Sequence, residues 1–334
     1  MMKKELFFVY LLIQIFRNWI DADSIRVGRF NVSHPEAHQF LDKTSFAHFI
    51  HLRHRLNVDD EICSKEKVES WEEELEQFVH HSSSKTLLYI FYHDAPSRER
   101  ALKLSSCHDW MFPIRLKISP YAESQAYRDV FYYLQKYWID HNITYIITTS
   151  YKILENNDLT REMVTDVTLK DFARYLNYIH SNQYDVVPLV RTNFPLMLQA
   201  IVSHGGLFGV AWDALLQGMG YNTKQIRSGD KFHIFSKNSL IARTTVFRQL
   251  TNFMSFALNT IETNSTVEAA LSANANYPGK MTKEQLQIAF HAPYYKMFPF
   301  ILERLPVFFL YHMQYKICDD HQPQCPKNLK IKDP

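Results

Sequence analysis

The 334-residue chain is 46% hydrophobic and 22% charged, enough apolar side chain to build one large folded domain or two smaller ones, which excludes a disordered chain. Its 37 Lys and Arg nearly cancel its 35 Asp and Glu, and no basic stripe with interleaved aromatics is present, so a nucleic-acid partner is excluded. The 14% of aromatic residues suits stacking on sugar rings as well as ordinary packing.

The N-terminus reads as a secretory signal. Lys3 and Lys4 precede an apolar run from Leu6 to Ile13, which is broken at Gln14, Arg17 and Asn18. The run is shorter than the roughly 20 residues of a spanning helix, so cleavage near residue 23 is expected, with a short type II anchor as the alternative. Everything beyond it would be lumenal or extracellular, in the Golgi, the endoplasmic reticulum or outside the cell. Three glycosylation sequons, at Asn31, Asn142 and Asn264, fit that compartment. So does the even count of four cysteines, Cys63, Cys107, Cys318 and Cys325. Cys318 with Cys325 and Cys63 with Cys107 is one of three connectivities, and a metal site on Cys318, His321 and Cys325 is the sharper alternative.

Residues 24–85 read as a polar, helical stem. The histidines there (His34, His38, His48, His51, His54, His80 and His81) lack the paired spacing of a metal helix, and the Glu72 to Glu76 run reads as a solvated face. A second region, residues 86–312, alternates strand and helix signals. Leu87 to Tyr92 reads as a buried strand ended by His93-Asp94-Ala95-Pro96, and Ser97 would cap a helix over residues 98–105. FPIRLKIS is a second strand, residues 122–141 form an amphipathic helix, and ITYIITTS is a third strand. A helix over 169–181, a strand over 184–190, two helices over 195–220, a strand KFHIFSKNSLIAR, a long helix from Val246 and a last helical region over 281–312 complete the series. Residues 313–334 read as a tail. This rhythm predicts an α/β fold: one mainly parallel mixed sheet flanked by helices. Ligands then bind beyond the carboxyl ends of the strands, near His93, Asp94, Ser119, Tyr121, Glu123 and residues 148–151.

Six of the eight glycines fall between Gly205 and Gly229. Such crowding suggests a shaped loop, or else a run of helix caps and turns. The common phosphate-loop, serine-hydrolase, zinc-protease and redox motifs are absent, and GGLFG is not the dinucleotide fingerprint. Ser203 and His204, being adjacent on a helix, point in different directions and make no nucleophile–base pair.

Three local patterns resemble a known superfamily. KISPYAESQAYRDVFYYLQKYW, running into ITYIITTSYKI, is similar to A-type glycosyltransferases, where a Glu-Ser-x-x-Tyr helix start precedes a strand carrying donor- or acceptor-facing residues. KFHIFSKNSLIARTTVFRQLTNFMSFAL resembles the strand and helix of capsular-polysaccharide-type transferases, and FPFILERLPVFFLYH resembles their Glu-Arg-Leu helix. The resemblance covers about residues 86–312. It implies a nucleotide-diphospho-sugar transferase fold, a nucleotide-sugar donor, a glycan or glycoprotein acceptor, and membrane contact only through an N-terminal anchor.

Carried over by position, the resemblance implies Glu123, Asp213 and Glu303 as catalytic carboxylates. It implies substrate contacts at Asp94, Asn238, Arg243 and Arg304, and the strand ends, the helix start and the glycine-dense stretch add His93, Tyr121, Tyr127, Thr149, Asp185, His204, Gly205, Gly206 and Trp212 as candidate contacts. Each has a plainer reading: Asp94 as a turn residue, Glu123 as complement to a helix dipole, Glu303 with Arg304 as an ion pair. The glycine-dense stretch from His204 to Trp212 would line the acceptor side of the cleft. One departure stands out: no Asp-x-Asp is present to hold a divalent cation such as manganese against the diphosphate. An enzyme without one would rely on Arg, Lys and helix N-termini for positive charge. A non-catalytic carbohydrate- or protein-binding member of the same fold, or a secreted hydrolase, are the other readings.

Overall fold

Alternation along the first strand decides which way each side chain faces. In β1 (Lys85–Tyr92), Leu88 and Ile90 turn to one side of the sheet, while Tyr89 and Phe91 turn to the other, and all four are buried. A strand with both faces buried belongs inside a sheet covered on both sides. The computed structural model describes residues 85–92, 101, 110–116, 119–150, 175–176, 179–181, 184–189, 191–223, 233–235, 238–279 and 281–318. All of them belong to one compact unit, residues 58–334. The expected stem, the N-terminal signal, the capped helix over 98–105 and the sequon at Asn31 lie outside the described residues.

The main sheet has five strands. β2 (Met111–Arg115) and β3 (Ile143–Ser150) flank β1 and run parallel to it, with Leu88 opposite Met111 and Leu88 also opposite Ile147. β4 (Val186–Pro188) forms the far edge. A second, two-stranded sheet pairs β5 (Arg191–Pro195) with β6 (His233–Phe235), and β7 (Leu240–Arg243) returns to the main sheet between β3 and β4. The order is β2-β1-β3-β7-β4, and β7 runs against both its neighbours, so four strands share one direction and one opposes them. The fold is therefore α/β with a mixed, mostly parallel sheet.

One face of the sheet is covered by helical residues 175–176 and 179–181, whose Tyr175, Leu176 and Ile179 pack on Leu88, Ile90, Tyr145, Ile147, Val187 and Ile241. The opposite face is aromatic. Helical residues 122–140 start as a 3-10 turn (Ala122–Ser124), widen to a π turn (Tyr127–Phe131) and settle into α1 (Tyr132–Asp140). Behind them lies α4 (Thr244–Thr263), and Tyr89, Phe131, Trp138 and Phe247 form a chain of ring contacts 5.1–6.3 Å apart. At its centre Trp138 Nε1 donates to Tyr89 Oη at 2.8 Å, so the buried indole is satisfied.

A third layer packs on α4. α2 (Leu196–His204) and α3 (Leu207–Gly218) form a helical pair; α5 (Ser265–Leu271), α6 (Lys283–Phe290), α7 (Phe298–Leu302) and α8 (Leu305–His312) follow. Asn264 caps α5 by accepting from the Thr266 and Val267 amides, and Thr282 with Gln285 forms a capping box on α6. No helix among the described residues is long and apolar enough to cross a membrane.

Three expectations change. KFHIFSKNSLIAR is not one strand: it divides into β6 and β7 on different sheets, because Asn238 between them adopts a left-handed conformation at φ 49°. The apolar alternation runs through that break and conceals it. RTNFP, unassigned in the sequence, is β5. The chain also continues to pack beyond residue 312: Ile317 bridges to Val186, and the Cys318 amide donates to the Val186 carbonyl at 2.9 Å. Cys318 is buried and disulfide-bonded, with its partner outside the described residues, so the Cys318–Cys325 pairing is not decided.

Candidate functional site

The strand order locates a crevice before any side chain is considered. From β1 the chain goes to β2 on one side and from β3 it goes toward β4 on the other, so the connections leaving the carboxyl ends of these two neighbours lead opposite ways, the switch point at which α/β sheets bind ligands. At that edge β3 ends on Thr148, Thr149 and Ser150, and Asn238 and Ser239 begin the return into β7 beside them. Thr148 Oγ1 donates to the Asn238 carbonyl at 2.6 Å, which fixes the left-handed residue from β3. Asn238 Nδ2 donates to Ser124 Oγ at 3.3 Å, tying the edge to the first turn of the 122–140 helical run. Thr148, Thr149, Ser124, Gln125, Asn238 and Ser239 are all buried. So many buried polar side chains at one strand edge are unusual in a core and mark this edge as the candidate site.

Of the residues expected there, Tyr121, Glu123, Tyr127, Thr149 and Asn238 are brought to this edge or the turn beside it. Tyr121 is half-buried; its ring meets Phe298 of α7 at 5.9 Å and carries the Arg128 guanidinium at 5.8 Å. Burial pushes the Tyr121 phenol up to about 12, with the Glu262 carboxylate adding to the rise. Arg128 is held by Asp129 and by Glu262, to which Nη1 donates at 2.5 Å. Lys296 places its ammonium 5.9 Å from the centre of the Phe298 ring. Tyr127 is a correction in part: its ring is fully buried against Phe131 and Phe247 and offers no surface to a substrate. Its phenol is raised well above its ordinary value, by burial first and then by the Glu123 carboxylate.

Asp185 and Arg243 stand at the opposite edge. Arg243 faces Tyr145 near the start of β3, and its Nε donates to the Tyr184 carbonyl at 2.9 Å and lies 3.7 Å from Asp185 Oδ1. Asp185 Oδ2 accepts from the Lys316 amide at 2.9 Å. Because β7 is reversed, the residue that ends it lies at the amino ends of its neighbours; these two residues hold the β4 edge and the chain after α8 in place.

The glycine-dense stretch is a helical pair rather than a cleft-lining loop. Trp212 is buried, stacked on Phe208 at 6.1 Å and set edge-on to Phe308 at 5.9 Å, so it is a packing residue and not a sugar contact. Asp213, half-buried on the same helix, packs in this layer. Gly205 turns between α2 and α3 at φ 82°, and Gly206 is exposed at the start of α3. The outward faces of the pair show Leu198, Ile201, Val202, Leu207 and Val210 to solvent.

His204, Glu303 and Arg304 meet in this layer. Arg304 is buried; Nη1 donates to the Phe300 carbonyl at 2.7 Å and lies 3.7 Å from Glu303 Oε2, and Nη2 donates to Gln199 Oε1 at 2.6 Å and faces His204 Nε2 at 3.3 Å. A guanidinium only donates, so His204 Nε2 is the lone-pair nitrogen and the ring proton sits on Nδ1. Burial, then the Arg304 charge, holds His204 down at about 3, so the ring is neutral. Both terminal nitrogens of Arg304 are engaged within the protein, which makes it a tie between α2 and α7 and leaves little of it for a diphosphate.

His93 and Asp94 lie outside the described residues. Ser124, Arg128 and Glu262 carry weight that sequence reasoning missed. Ser124 was legible only as part of the Glu-Ser-x-x-Tyr pattern; Arg128 and Glu262 meet across 134 positions and left no local signal. Among the described residues no three His, Cys, Asp or Glu stand together in a way that could hold a metal ion, so they do not fit a divalent-cation centre. Compared with known proteins, the chain matches no family model, no curated protein and no solved structure.

Proposed function

We propose that the protein is a glycosyltransferase of the secretory pathway, moving a sugar from a nucleotide-sugar donor to a hydroxyl of a glycan or glycoprotein acceptor. The observation that carries this reading is the buried set of Thr148, Asn238 and Ser124 hydrogen-bonded across the switch point, with Glu123 on the same helical turn. Hydroxyls, an amide and a carboxylate are the groups that read a polyol, and the carboxyl edge of an α/β sheet is where a nucleotide is bound. The Glu-Ser-x-x-Tyr pattern supports the reading, since its Glu123, Ser124 and Tyr127 fall at this edge.

In the reaction the acceptor oxygen forms a bond to the anomeric carbon as the bond from that carbon to the diphosphate oxygen breaks. The nucleoside diphosphate leaves with the electron pair, and the acceptor proton passes to Glu123. Lys296, beside the Phe298 ring that Tyr121 meets, supplies positive charge toward the leaving group.

The test is thermal unfolding with uridine and guanosine diphosphates. Saturation at about 100 times Kd stabilises a one-site protein by about 2.7 kcal/mol, which raises the midpoint measurably. An unchanged midpoint with every nucleoside diphosphate contradicts the reading, and stabilisation by a nucleotide sugar that is never turned over favours a non-catalytic binding member of the fold instead.

A further inference from the structure

Asn238 is only 4% exposed, yet its amide is half satisfied: Nδ2 donates to Ser124 Oγ, while Oδ1 has no hydrogen-bond partner among the described residues. Exchanging the two ends of the amide changes the sign and not the conclusion, because one end still has no partner among the described residues. The residue is also fixed in place. Its backbone is pinned by Thr148 and held left-handed, a conformation in which asparagine is at home and most residues are strained.

On the helical run, the Tyr127 hydroxyl is likewise buried with no hydrogen-bond partner among the described residues, though its ring offers no surface to a ligand. Unpaired buried donors and acceptors destabilise a fold unless a ligand or water completes them. Glu123 at the helix start already supplies negative charge where an anion would otherwise be drawn, so the chemistry suits a neutral ligand that both donates and accepts.

We propose that this edge holds a diol subsite, in which the open end of the Asn238 amide, with Glu123 and Ser124 on the adjoining turn, takes neighbouring hydroxyls of a sugar ring. The inference rests on the transferase reading and sharpens it: Asn238 is the residue that recognises the carbohydrate, and the diphosphate lies elsewhere along the edge. Neighbouring hydroxyls occur both on a hexopyranose and on the ribose of a nucleotide, and the probes separate the two sources.

The experiment follows the Asn238 side-chain amide in the 15N-labelled full chain, assigned by its disappearance in Asn238→Gly, which keeps the left-handed backbone accessible. Methyl hexopyranosides, uridine and guanosine diphosphates, and inorganic pyrophosphate are added in turn. The resonance is expected to move with a hexoside if the donor sugar is read, or with a nucleoside diphosphate if the ribose is read, and to stay still with pyrophosphate. Asn238→Gly is expected to weaken that ligand about tenfold, the loss of one buried hydrogen bond, and to lower the unfolding temperature only modestly, through the lost bond to Ser124. A resonance unmoved by every diol, a response to pyrophosphate alone, or unaltered affinity in Asn238→Gly overturns the subsite. Nucleotide binding with Asn238 unmoved removes the subsite and leaves the transferase reading standing. A hexoside response without any nucleotide binding does the reverse.

Discussion

Lowering the pH should strip stability from the α2–α7 junction through one ring. His204 is buried, its Nε2 faces the Arg304 guanidinium at 3.3 Å, and its folded value lies at about 3 against 6.5 when free. A folded value below the unfolded one means that the unfolded chain binds the proton first. The loss therefore sets in as pH falls below about 6.5 and is complete near 3. At pH 5 the unfolded ring is almost fully charged and the folded ring still neutral; the interval of about 1.5 pH units, at about 1.4 kcal/mol each, amounts to about 2 kcal/mol. Denaturant unfolding at pH 8 and pH 5 measures it, with His204→Gln as the control, since glutamine can accept from Arg304 and does not titrate. The difference in stability between the two pH values should be about 2 kcal/mol smaller in the variant. Parallel pH profiles for the two proteins would refute the reasoning.

The other predictions concern packing. Gly218→Ala should destabilise by about 1–3 kcal/mol despite the gain in helix propensity, because the new Cβ would stand 2.6 Å from Val267 Cγ2 and 3.2 Å from Thr260 Cγ2. Gly209→Ala, in the same helix with nothing within 4 Å of the added carbon, should stabilise by about 0.5–1 kcal/mol, and thermal unfolding of the pair reads both signs. Trp138→Phe should cost about 2 kcal/mol in denaturant unfolding, since it leaves the buried Tyr89 hydroxyl without its indole partner. Arg304→Met should lower stability by about 3 kcal/mol, because it strands Gln199 and the Phe300 carbonyl. Its affinity for a nucleoside diphosphate, measured by calorimetry, should be unchanged if Arg304 is a structural tie.

The sheet was legible where sequence and burial share a period. ITYIITTS is β3 residue for residue, and the apolar run of β1 announces a strand buried on both faces. The helix over residues 122–141 was legible from its apolar spacing, but its changes of pitch were not. Asn238 shows why the site was harder. Its neighbours FHIF and SLIA alternate as one strand would, and the break depends on a backbone angle and on a Ser124 that lies 114 positions earlier. Trp212 failed for the opposite reason: an aromatic residue near glycines suits a sugar platform, yet here Gly218 lets α3 approach α4 and α5, and the ring fills the space between Phe208 and Phe308. Arg243 was correctly placed at the end of its strand, but the reversal of β7, which no local pattern reports, carries that end to the far side of the sheet.

The central claim is tested most directly by donor hydrolysis: the full chain incubated with a panel of uridine and guanosine diphosphate sugars, with and without manganese, and nucleoside diphosphate release followed. The account predicts release from one donor class, lost in Glu123→Gln and retained in Arg243→Lys, which alters only the far edge of the sheet. Release from no donor under either condition, or release unaffected by Glu123→Gln, would contradict it.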